Sequence, residues 1–170
     1  MLKTVRYAAL ALLLPLALTA CDDDDDDGAI VYRAELSGAS EVPPRTTSAT
    51  GVAEFRLSDN DVITYTVDVT GLSNIAAGHI HGPASTTTNA GVIIGLFSTP
   101  PSTSPFTGRL AEGTINRSST LNGVDFDGLV NLLETGQAYV NIHTNDGVDP
   151  PDTGPGDFPG GEIRGQILRR

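Results

Sequence analysis

The chain contains three histidines, His79, His81 and His143, and each can be placed by the residues around it. His79-Ile80-His81 sets two imidazoles at i and i+2. On a strand such residues share a face about 7 Å apart, so both rings can turn toward one ion. Gln137 to His143 alternates: Ala138, Val140 and Ile142 take one face, and Tyr139, Asn141 and His143 take the other. Glu162 to Ile167 repeats the pattern, with Ile163 and Ile167 inward and Glu162, Arg164 and Gln166 on the polar side. Neighbouring positions for these three strands would collect every histidine in one polar patch with Glu162 and Arg164. Two readings fit that patch. One is a metal centre with His79, His81 and His143 as ligands. Nitrogen donors favour copper or zinc, and Glu162 and Arg164 would orient the ligands from behind. The other is a hydrogen-bonded network that braces strand ends without an ion. A Ser-His-Asp hydrolase is the weaker third idea, because no Gly-x-Ser-x-Gly elbow is present.

The elements that must carry these residues read as an all-β fold. Ile30 to Ser37 is the first strand, and Pro43-Pro44 follows as an extended turn. Gly51 to Leu57 and Val62 to Val69 alternate around Ser58-Asp59-Asn60-Asp61, which is turn chemistry, so they predict a hairpin. Gly91 to Phe97 reads as a more fully buried strand than these and Arg109 to Ile115 as a weaker one. Asp125 to Glu134 is the single helix, with a stripe of Leu129, Leu132 and Leu133 and Gly136 placed for a left-handed cap. Ser85 to Asn89 reads as a surface connection. The whole is an antiparallel, Greek-key-like β-sandwich of about 7–8 strands with one short helix.

The first 20 residues read as an address. Lys3 and Arg6 precede an apolar run from Tyr7 to Leu18, too short and too broken by Pro15 to span a bilayer. Leu18-Thr19-Ala20-Cys21 resembles a bacterial lipobox, so Cys21 is the expected lipidation site and the first mature residue. Asp22 to Asp27 and Gly28 then form an acidic tether, since six adjacent carboxylates cannot be buried together. The domains are thus 1–20 signal peptide, 21–28 lipidated Cys and tether, and 29–170 globular domain. The expected location is extracytoplasmic and membrane-anchored, in the periplasm or at the cell surface. Without the leader the chain holds 8 Arg against 21 acids, a net charge of −13. Such a surface argues against nucleic acid as a partner. It leaves the membrane through the lipid anchor, an extracytoplasmic protein, or a metal ion. The single Cys excludes an internal disulfide framework and a Cys-rich zinc site.

Glu41-Val42-Pro43-Pro44, Gly51 to Phe55, Gly78-His79-Ile80-His81-Gly82-Pro83-Ala84, Tyr139 to Thr144, and Phe158 to Ile167 occur in an order that resembles the chordin-type (CHRD) domain. That resemblance implies an extracellular, non-enzymatic binding or structural module. Thr144 to Gly161 looks like an insertion relative to that pattern, with Asp146, Asp149, Asp152 and Asp157 in a solvated loop. It has no regular calcium-ligand spacing. A fainter resemblance is to copper,zinc superoxide dismutase, whose copper-site pattern His79, His81, His143 and Arg164 match in order. No fourth histidine, zinc-ligand set or disulfide accompanies them.

Overall fold

Alternation of apolar and polar residues builds most of this chain. The computed structural model describes residues 28–100 and 104–170. The expected leader, Cys21 and the Asp22–Asp27 run lie outside the described residues. Nine strands form: β1 (Ile30–Ser37), β2 (Thr50–Ser58), β3 (Val62–Leu72), β4 (Ile75–His81), β5 (Val92–Gly95), β6 (Phe106–Asn116), β7 (Tyr139–Thr144), β8 (Ile163–Gln166) and β9 (Leu168–Arg169). One helix, α1 (Phe126–Glu134), and a 3-10 turn at Gly38–Ser40 complete the elements. The count exceeds the expected 7–8 because the last apolar run breaks into β8 and β9.

All strand pairs are antiparallel. The order is β5-β4-β7-β8-β1-β2-β3-β6, with β9 beside β1. The chain leaves one half after β3, builds β4 and β5 in the other half, and returns for β6. The sheet curls so that the inner faces of both halves share one core of Val, Ile, Leu and Ala with Tyr32 and Phe55. Across it the Tyr65 hydroxyl donates to the Leu96 carbonyl at 2.8 Å, tying β3 to the end of β5. The result is a sandwich-like half-barrel with a single short helix.

Local signals explain the joints. Asp61 takes a positive φ of 57° in the β2–β3 turn, a position that Asp tolerates. Asp125 caps α1 by accepting from the Gly128 amide at 2.8 Å, so the helix begins one residue later than the pattern suggests. Leu129, Leu132 and Leu133 are buried against the core, and Gly136 ends the helix at φ +63°. The run from Gly91 to Phe97 departs from expectation. β5 is an edge strand in which Val92 and Gly95 are exposed, and only Ile93 and Leu96 are fully buried.

Candidate metal centre

Strand order brings the three predicted segments side by side, since β4 pairs β7 and β7 pairs β8. Register then sets two rows. His79, Asn141, Arg164 and Ser37 lie opposite one another across β4, β7, β8 and β1. His81, Tyr139 and Gln166 form the next row. Ile80, Val140, Ile142 and Ile163 point the other way and are wholly buried.

The polar face of these strands is covered rather than open to solvent. Arg164 and Glu162 are each 1 % exposed, Asn141 3 % and Tyr139 2 %. Residues 38–47, 82–91 and 144–161 cross this face. Alternation correctly separates the two sides of each strand, but the second side is largely covered as well, with His79 and His143 left half-buried.

On this face the three imidazoles meet. One ring nitrogen from each of His79, His81 and His143 lies within 4.8 Å of the others. Ring centroids stand 4.9 Å apart for His79–His143, 5.4 Å for His79–His81 and 5.9 Å for His81–His143. Two backbone carbonyls fix the tautomers. His81 Nδ1 lies 3.0 Å from the Ala90 oxygen, and His143 Nδ1 lies 2.8 Å from the Pro159 oxygen. A carbonyl only accepts, so both Nδ1 atoms carry the proton and both Nε2 atoms hold a bare lone pair. His143 Nε2 faces His79 Nδ1 at 3.1 Å, so His79 Nδ1–H donates to it. His81 Nε2 is buried with no hydrogen-bond partner. A buried acceptor without a partner costs about 1–3 kcal/mol, and a ligated ion would satisfy it. Three neutral nitrogen donors, two of them oriented by backbone oxygens, fit copper or zinc.

The protonated imidazole is disfavoured at each position. Burial pushes His79 down to about 4, helped by His143 and His81. Burial also lowers His81, with His143 and Arg164 adding repulsion while the Ala90 carbonyl opposes. Burial lowers His143, against the pull of the Pro159 carbonyl. All three rings are therefore neutral at neutral pH, and ligation requires His79 to move its proton from Nδ1 to Nε2, which frees both that nitrogen and His143 Nε2.

Glu162 and Arg164 sit on the face expected but reach the site indirectly. Glu162 Oε1 accepts from Thr47 Oγ1 at 2.7 Å, and Oε2 from Thr144 Oγ1 at 2.7 Å and the Gly156 amide at 2.8 Å. It thereby holds the loop that carries Pro159. Arg164 donates from Nη1 to Asn89 Oδ1 at 2.8 Å, and from Nη2 to the Ser85 and Thr88 carbonyls at 2.8 and 3.0 Å. Its guanidinium lies 3.5 Å over the Tyr139 ring, and Tyr139 stacks on His81 at 4.9 Å and 8°. The Ser85–Asn89 segment is exposed, as expected of a surface connection, and it also clasps the Arg164 guanidinium. Asn89 Nδ2 also ties it to the Val42 carbonyl at 2.7 Å.

Sequence reasoning missed the Ala90 and Pro159 carbonyls, because a backbone oxygen leaves no residue-type signal. The stacking role of Tyr139 was findable, since alternation sets it on the face shared with His143. Glu41 is a further unforeseen member of this layer. It is 4 % exposed and accepts from Asn141 Nδ2 at 3.3 Å, while its Oε1 has no partner. Burial pushes its carboxyl up to about 7, against the pull of Arg164, the Val42 amide and Arg45.

The fold and the site define an antiparallel all-β domain with a three-imidazole cluster on a loop-covered face. The CHRD domain family model matches residues 32–151, and the chain belongs to that family. The match ends before β8, although β8 completes the same sheet. No curated protein and no solved structure matches the chain.

Proposed function

We propose that this protein is a lipid-anchored, extracytoplasmic CHRD-domain module that binds one copper or zinc ion through His79, His81 and His143. Membership of the CHRD family supports a non-enzymatic module. The observation that carries the metal assignment is the pair of locked tautomers. His81 and His143 each give Nδ1–H to a backbone carbonyl and turn Nε2 inward, within 4.8 Å of the His79 donor. Metal-bound histidines are held in this way, with the second nitrogen fixed by an acceptor. The unpartnered His81 Nε2 adds to this support, since a ligated ion would satisfy it.

The anchor rests on the sequence, where Cys21 follows an apolar leader and the Asp22–Asp27 run follows Cys21. No helix among the described residues is long and apolar enough to cross a membrane.

The test is metal content. The tag-free domain is loaded with copper or zinc, dialysed and assayed beside a His81→Ala variant. About one equivalent retained by the wild type and lost in the variant is the expected result. Less than about a tenth of an equivalent in the loaded wild type overturns the assignment.

A further inference from the structure

Arg164 gives the three-imidazole site a charge preference that its ligands alone do not specify. Its side chain is 1 % exposed, and its three hydrogen bonds reach neutral acceptors, Asn89 Oδ1 and the Ser85 and Thr88 carbonyls. It forms no ion pair with a carboxylate within 4.0 Å among the described residues. Two carboxylates lie on the same face without pairing with it. Glu162 places both oxygens on Thr47, Thr144 and Gly156 rather than on the guanidinium. Glu41, buried in the same cleft, has a carboxyl pushed up to about 7, so near neutrality it is ionised only in part.

This cation is stacked into the site. β4 and β8 flank β7 on opposite sides, so the Tyr139 ring lies between the Arg164 guanidinium and the His81 ring. No solvent layer separates the guanidinium, the phenol ring and the imidazole, so the charge is poorly screened. The ligands themselves are three neutral nitrogens, and no carboxylate or thiolate joins the cluster among the described residues. Nothing at the ligand positions offsets a second positive charge on the ion.

We infer that the site selects a monovalent, nitrogen-loving ion, copper(I), over copper(II) and zinc(II), and that Arg164 sets this preference through Tyr139. The inference rests on the three-histidine assignment. Repulsion from a fixed cation scales with the charge of the bound ion, so Arg164 penalises a divalent ion twice as much as a monovalent one. It is a specificity-setting residue that touches no bound ion itself.

The experiment is an anaerobic competition titration of the tag-free domain with copper(I), copper(II) and zinc(II). The wild type is expected to hold copper(I) at least tenfold more tightly than copper(II) or zinc(II). Arg164→Gln removes the charge and keeps an amide donor, and it is expected to lower the copper(I)-to-copper(II) affinity ratio about tenfold. Arg164→Lys keeps the charge and should leave the ratio within about threefold of wild type. A wild type that holds copper(II) as tightly as copper(I) overturns the inference, whether or not the variants fold. An unchanged ratio in Arg164→Gln overturns it as well. Binding of all three ions without preference defeats this proposal alone. Binding of none defeats the three-histidine assignment and this proposal with it.

Discussion

Glu41 shows how one buried side chain can oppose the fold that holds it. Its unfolded carboxyl has the ordinary value of 4.5, and burial raises the folded value to about 7. A raised folded value means that the folded chain keeps a proton which the unfolded chain has already lost. The contribution is fully present below pH 4.5 and is lost as pH rises through 7. Glu41→Gln keeps the shape and the acceptor for Asn141 but cannot ionise. Urea unfolding of variant and wild type should give matching stabilities near pH 4.5. By pH 8 the variant should be the more stable by about 1–3 kcal/mol. A difference that does not change with pH would contradict this account. The histidines act in the opposite window. Their folded values are lowered, His79 to about 4, so their contribution is present above pH 6.5 and lost as pH falls toward 4. His79→Gln should therefore flatten the acid side of the metal-free stability profile, measured by the same unfolding series.

Elements were legible where periodicity governs and obscure where backbone governs. Ile30–Ser37 appears with the bounds that its alternation predicts, and the Asp125 cap and Gly136 stop frame α1 as their residue types imply. The faces of β4, β7 and β8 followed from Ile80, Val140, Ile142 and Ile163, so the convergence of the histidines could be anticipated. The covering layer could not. Alternation says which side a residue takes and nothing about what crosses over that side, so it set Glu162 and Arg164 on the polar side without showing that this side is covered. The Ala90 and Pro159 carbonyls belong to irregular segments with no period at all. Close packing between elements is equally silent in sequence. At Gly165 an added methyl would run into the Glu35 backbone of β1, at the corner where the sheet turns from one half to the other. Gly165→Ala should destabilise the domain by about 1–3 kcal/mol, read as a lower urea midpoint with unchanged slope. A stability equal to wild type would show that β8 and β1 approach less closely than described here.

At the scale of the whole molecule, the acids divide between the Asp22–Asp27 run and the rest of the chain. Six of the 21 acids lie in Asp22–Asp27. Within the domain most arginines sit against acids, as Arg117 does with Asp61 and Asp127, or Arg109 with Asp68 and Glu112. These exposed pairs contribute little to stability individually, and Arg164 stands apart from them by its burial. The proposed anchor is checked by Cys21→Ser in cells. The variant should leave the membrane fraction and lose incorporated fatty acid, whereas continued membrane association with acyl label would contradict lipidation at Cys21. Metal binding should also register globally. At a hundred times its Kd, an ion that binds only the folded chain adds about 2.7 kcal/mol, which should raise Tm by roughly 5–10 °C.

The central claim is that three named nitrogens hold one ion, and imidazole NMR reads those nitrogens one at a time. The 15N-labelled domain is titrated with diamagnetic copper(I). The account predicts that His79 moves its proton from Nδ1 to Nε2, giving up its hydrogen bond to His143, and that His79 Nδ1, His81 Nε2 and His143 Nε2 shift together and saturate at one equivalent, while His81 and His143 keep their Nδ1 protons. Unmoved imidazole nitrogens at one equivalent would contradict it.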